Sequence, residues 1–128
     1  MCMWYHGSRK KLSVLKRQQA HAVAESLKNE KLNMIYCTPD YGFALAMAAR
    51  PDGVTEINTT GRTVYFENPE NFDPDREVYV YLVDSSKIPD VKVVWIDEMQ
   101  VAVDLDEVTP SSVERHKAGE ISQFYRIA

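Results

Sequence analysis

The amino-acid order predicts one mixed α+β domain over residues 1–128, a sheet core with helices on one side. Two observations carry that reading. Apolar residues recur at helical spacing only in the first fifty residues, and the rest of the chain is short runs rich in Val, Ile, Tyr and Phe, separated by Gly, Pro, Asp and Ser. The length of 128 residues, with 45% hydrophobic and 27% charged residues, suffices for a single core that buries about two-thirds of the unfolded chain's surface without staples.

The first element is Trp4-Tyr5-His6-Gly7-Ser8-Arg9, an apolar run that ends in hydrogen-bonding residues, as a strand does when it delivers side chains to a site. Leu12, Val14 and Leu15, then Ala20, Val23, Ala24 and Leu27, give helical spacing, so a helix is expected over 18–29 with His21 on its surface. Met34-Ile35-Tyr36-Cys37-Thr38 repeats the pattern of the first strand. Thr38 is placed to cap a second helix, with Pro39 and Asp40 in its first turn. That helix continues through Phe43, Ala44, Leu45, Ala46, Met47 and Ala48 to about Arg50, where Pro51-Asp52-Gly53 stops it. Its small residues predict close packing against a sheet.

The later elements are strands. Residues 55–59 and 62–66 flank Thr60-Gly61 as a hairpin, and 68–75, with Pro69 and Pro74, is a loop. The clearest strand is 76–84, closed by Asp84-Ser85-Ser86, and its Val and Tyr content predicts a central place in the sheet. Strands at 91–96 and 99–105, a turn at Pro110-Ser111-Ser112 and a last strand at 121–127 complete the chain.

No apolar run approaches the roughly 18 to 20 residues of a membrane span, and the N-terminus lacks a charged-then-apolar secretory pattern. No membrane partner and a cytoplasmic location are therefore expected. Cys2 and Cys37 could pair if their strands are neighbours, but a reducing compartment leaves both as thiols. The three histidines, His6, His21 and His116, have no metal-ligand spacing, and no metal site is expected. Charge is uneven: residues 1–32 carry seven Lys and Arg against two acids, and 33–128 carry eight against seventeen. The basic run Arg9, Lys10, Lys11, Lys16 and Arg17 reads mainly as a solvated face, with Arg9 nearest the first motif and best placed for a phosphate.

The chemistry is concentrated in four residues. His6 donates or accepts through its ring nitrogens, Gly7 lets a ligand approach the backbone, Ser8 adds a hydroxyl, and Tyr36 offers an aromatic face. Together, Trp-Tyr-His-Gly-Ser-Arg and Ile35-Tyr36-Cys37-Thr38-Pro39-Asp40 followed by Phe43-Ala44-Leu45-Ala46 resemble the first two motifs of the ADP-ribosyltransferases of the poly(ADP-ribose) polymerase and diphtheria-toxin type. The likeness covers roughly the first fifty residues, and the chain length is similar to that of the small rifamycin-modifying members.

The resemblance implies that group's split β-sheet with two early helices and NAD as co-substrate. His6, Gly7, Ser8, Arg9 and Tyr36 would contact NAD, with the nicotinamide amide on Gly7 and Ser8, the ring on Tyr36 and His6 on the adenosine ribose. A later strand of the group supplies a Glu whose charge stabilises the transition state. Here Trp95-Ile96-Asp97-Glu98-Met99-Gln100-Val101-Ala102-Val103, followed by Val108-Thr109-Pro110, puts Gln100 or Glu98 there, with Asp90, Glu120 and Gln123 as other candidates. Catalytic roles thus fall to His6, Tyr36 and Gln100 or Glu98. The implied activity is transfer of ADP-ribose from NAD to an acceptor, which the residues do not identify as protein, nucleic acid or small molecule. Two alternatives stand beside it: a non-catalytic NAD or ADP-ribose binder of the same fold, and an RNA 2'-phosphotransferase-like enzyme, whose full basic set is missing after residue 50.

Overall fold

The computed structural model describes residues 3–19 and 33–128. Four strands, β1 (Met3–Ser8), β2 (Leu15–Lys16), β3 (Gln18–Gln19) and β4 (Asn33–Cys37), precede the helix α1 (Tyr41–Ala49). After it come β5 (Thr55–Asn58), β6 (Thr63–Phe66), β7 (Glu77–Asp84), β8 (Val93–Trp95) and β9 (Val101–Val103). The chain closes with β10 (Glu107–Val108), β11 (Ser112–Lys117) and β12 (Arg126–Ile127). This is a mixed α+β arrangement of short strands in several sheets.

β7 takes the central position its composition predicts, with β1 antiparallel on one edge and β11 antiparallel on the other. Both of its faces are covered, which is why apolar residues run through it without strict alternation. Val78 and Val80 join the core beneath α1, whereas Tyr81 and Val83 join a second core with Trp4, Leu15, Ile35, Cys37, Val101 and Val103. A second sheet, in the order β3-β4-β9-β8, supplies the far wall of that second core.

α1 is buried on nearly every side, as an all-apolar helix must be. Its cap is Asp40, whose Oδ1 accepts from the Phe43 N–H at 3.0 Å; the Thr38 expected there instead pairs with β1, and its hydroxyl accepts from the Asp40 N–H. Arg62, at a left-handed φ of 53°, donates from Nη1 to Asp40 Oδ2 at 2.9 Å and lies over the Tyr125 ring. That contact pins the start of α1 to the tip of the β5–β6 hairpin.

Three expectations are corrected. Gln18 and Gln19 pair with β4 as a strand instead of opening a helix over 18–29, and residues 20–32, with His21, lie outside the described residues. The last strand shrinks to Arg126–Ile127, parallel to β6, because 118–123 form a 3-10 helix. The buried residues there are Ala118, Ile121 and Tyr125, a one-sided helical spacing and not an alternation. Finally, β11 begins inside the turn expected at Pro110-Ser111-Ser112 and runs where no strand is expected. It is an edge strand whose residues are nearly all exposed and in good part charged, so its pairing with β7 leaves almost no apolar signature.

α1 and β1 meet at Gly7. A Cβ there would collide with the carbonyl oxygen of Ala44 and lie 3.1 Å from the Ala48 Cβ. The small residues of α1 thus do pack closely on the sheet, and the sheet answers with a glycine. Gly7→Ala should cost at least about 3 kcal/mol, because the obstacle is backbone and cannot rotate away. Gly61→Ala, whose Cβ would make ordinary contacts with Asn58, should stay within about 0.5 kcal/mol. Urea unfolding of the two variants tests the difference.

Candidate functional site

β1 and β4 touch and then part. The Tyr5 N–H donates to the Thr38 carbonyl at 2.8 Å and the Thr38 N–H returns a bond to the Tyr5 carbonyl at 2.9 Å. Among the described residues this bridge is the whole ladder between the two strands. One residue further on, the His6 imidazole comes between them, its Nδ1 2.6 Å from the Tyr36 carbonyl oxygen. A carbonyl only accepts, so Nδ1 carries the proton and Nε2 of the neutral ring is an acceptor. Burial, only partly opposed by the Tyr36 bond, holds the imidazole below its ordinary pKa and therefore neutral near pH 7.

The strand period turns the Gly7 backbone to the same edge as that of Tyr5, so its N–H and C=O face the gap that β4 has left. The side on which Gly7 lacks a side chain is filled by α1, not left open to a ligand as the sequence suggested. Tyr36 is half-buried across from Ala102, on the face opposite Ile35 and Cys37. Ser8 accepts the Lys10 N–H on its hydroxyl at 3.0 Å. The split thus brings His6 to the Tyr36 carbonyl, with the Gly7 backbone edge beside it. Arg9 is directed elsewhere: Nη1 donates to Asp52 and Nη2 to the Arg50 carbonyl, at the C-terminal end of α1.

Of the five candidates for the third position, Gln100 is the one that the β4–β9 register carries onto Tyr36's face. It precedes β9, one strand step of about 7 Å from Ala102. Its side-chain amide donates to Asp97 Oδ2 at 3.0 Å within the β8–β9 hairpin, where its carbonyl accepts the Ile96 N–H. Glu98 is exposed at the tip of that hairpin, Asp90 is exposed at the start of a 3-10 turn, and Gln123 is exposed near the chain's end. Glu120 belongs to a different group.

That group was not legible in the sequence. Tyr41, the first residue of α1, places its hydroxyl 2.7 Å from Glu114 Oε1 and 2.5 Å from His116 Nε2, while His116 Nδ1 lies 3.1 Å from Glu120 Oε1. The other oxygen of Glu120 accepts the Lys117 N–H, and this bond together with His116 holds the Glu120 carboxyl below its usual range. Burial and Glu114 push the Tyr41 phenol up, so it remains a hydroxyl. With one proton it serves one acceptor at a time. Glu114 Oε1 and His116 Nε2 therefore compete for that hydroxyl. Tyr5 packs edge-on against Tyr41 and links this cluster to the closed end of the split.

The remaining chemistry is quiet. Among the described residues no group of His, Cys, Asp and Glu is arranged to hold a metal ion. Burial pushes the Cys37 thiol up to about 12, and Cys2 lies outside the described residues. No helix among them is long and apolar enough to cross a membrane. No protein-family model, curated protein or solved structure matches this chain.

The buried neutral imidazole has a pH signature. Its folded pKa lies below the unfolded value near 6.5, so on acidification the unfolded chain takes up the proton first. The stability is present above pH 6.5 and drains away as pH falls toward the folded value, at most about 1.4 kcal/mol per pH unit for one proton. Urea titrations at pH 7.5 and 5.5 should show a fall in wild type that is smaller in His6→Gln. Equal slopes would place the titration elsewhere.

Proposed function

We propose that the split between β1 and β4 binds NAD, and that the chain transfers ADP-ribose from it to an acceptor nucleophile. The observation that carries this reading is the wedge of His6 against the Tyr36 carbonyl, beside a Gly7 whose backbone edge faces the gap. Along one edge a carboxamide presents its carbonyl acceptor and one of its two N–H donors in a plane, which complement the N–H and C=O of a strand edge. The Ser8 hydroxyl, already accepting from Lys10, has its proton left to give to the amide oxygen. Tyr36 supplies a ring for stacking, and Nε2 of His6 accepts from a ribose hydroxyl. The bond between C1′ of the ribose and the nicotinamide nitrogen would break, nicotinamide would leave with the electron pair, and the acceptor would add at C1′ and lose its proton.

A second reading is favoured by Gln100. Positive charge develops on the ribose as the bond breaks, and a carboxylate beside it stabilises that charge far more than an amide does. The Gln100 amide is bonded to Asp97. That arrangement favours a module that holds NAD or ADP-ribose without turning it over.

The two readings share one binding test and differ in a second. NAD at a hundred times its dissociation constant should add about 2.7 kcal/mol of stability, seen as a raised melting temperature. His6→Ala, checked first for its unliganded melting, should lose that rise; an unchanged NAD response in the variant would refute the pocket. Nicotinamide release then separates transferase from binder. In the transferase, Gln100→Ala should slow release at least about tenfold while NAD still binds; in the binder, wild type releases none.

A further inference from the structure

The C-terminal end of α1 gathers more positive charge than the fold uses. Arg9 reaches it from the end of β1, with Nη2 donating to the Arg50 carbonyl at 2.6 Å. Arg76, just before β7, sends its Nη2 to that carbonyl at 3.0 Å and to the Ala49 carbonyl at 3.2 Å. Two guanidinium groups thus converge on one oxygen, and the side chain of Arg50 starts from the same residue.

Bonds to the last carbonyls of a helix are a sufficient reason for Arg9 and for one nitrogen of Arg76, since that end of the helix is negative. They leave two features over. The guanidinium of Arg50 makes no hydrogen bond or ion pair among the described residues, although the residue is half-buried. Nε of Arg76 is shut away from solvent with no partner among them. The nearby acids compensate poorly: Asp52 is bonded to Arg9 with its side chain 89% exposed, and Asp73 is exposed as well. Burial and the charge of Arg9 depress the pKa of both Arg50 and Arg76 against the pull of those acids. Like charges held together partly out of water are unfavourable unless an anion joins them.

We propose that Arg9, Arg50 and Arg76 form a binding site for a phosphoryl oxyanion, a phosphate or diphosphate group carried by a ligand. Guanidinium forks present fixed, planar donors suited to phosphate oxygens. Arg9 follows Gly7 by two residues, in the bend just past the end of β1. The site stands independently of what the split itself holds.

Calorimetric titration of the full chain with sodium pyrophosphate and with inorganic phosphate, against sodium chloride of matched ionic strength, tests the site. Saturable binding is expected in wild type. Arg50→Gln should weaken it roughly tenfold or more, and because that side chain holds no bond among the described residues, its unliganded melting should stay near wild type. Arg115→Gln, an exposed cation on β11, should bind as wild type does. No heat beyond the chloride control, or equal binding in wild type and Arg50→Gln, would overturn the proposal. Titrations with NAD assign the source of the phosphate. A loss of NAD affinity in Arg50→Gln places the dinucleotide's own diphosphate there; unchanged NAD affinity with lost pyrophosphate binding places the phosphate of a second molecule there, and either supports the site. Nicotinamide, which carries no phosphate, reports on the split alone, so failure of the NAD reading and failure of the arginine site are seen separately.

Discussion

An imidazole stands where a run of backbone hydrogen bonds would otherwise be. Paired strands lie about 4.8 Å apart and satisfy one another's N–H and C=O groups; beyond the Tyr5–Thr38 bridge, β1 and β4 do not. The parting is stable because His6 meets the Tyr36 carbonyl with a side-chain proton. The rest of β1 is fixed by its full ladder to β7, so β4 is the strand that departs. Tyr81, across from His6 on β7, carries the effect outward. Its hydroxyl donates to the Lys10 carbonyl and accepts the Leu12 N–H, folding the segment after β1 back over the second core.

Gly7 satisfies two demands that are usually met by different residues. Its missing side chain admits the backbone of α1, and its position in the strand period sends its peptide groups into the split. Fold and site therefore share a residue. Any larger side chain would push α1 away from β1 before it altered a ligand contact. Reading Gly7 from the sequence as open to a ligand overlooks α1, whose Ala44 carbonyl occupies the side where a side chain would lie.

How much of this is legible in the sequence depends on how local each cause is. β7 and α1 are dense enough in apolar residues, and punctuated clearly enough by Pro, Asp and Ser, to be placed from their own neighbourhoods. The approach of β1 and β4 that brings His6 to the Tyr36 carbonyl is likewise foreseeable from two strands that each end in polar residues. β11 is not, since its strand character comes from pairing with β7 and its own residues are nearly all exposed. β2 and β3 are two-residue pairings decided by distant partners. The same limit hides the Tyr41, Glu114, His116 and Glu120 group and the three arginines, which are assembled from elements far apart in the chain with no spacing to betray them.

Those two hidden groups sit at opposite ends of one helix. Tyr5 touches Tyr41 at the start of α1, Gly7 meets Ala44 and Ala48 along it, and Arg9 reaches Arg50 just past its end, so α1 runs alongside β1 in the same direction. Glu114 and Glu120 lie near its positive N-terminus and the arginines at its negative C-terminus, the arrangement that a helix dipole favours. A helix of nine residues is about 13 Å long, more than the roughly 8 Å screening length of physiological salt, so the two charged ends act separately. β1, and the split along its edge, pass between them.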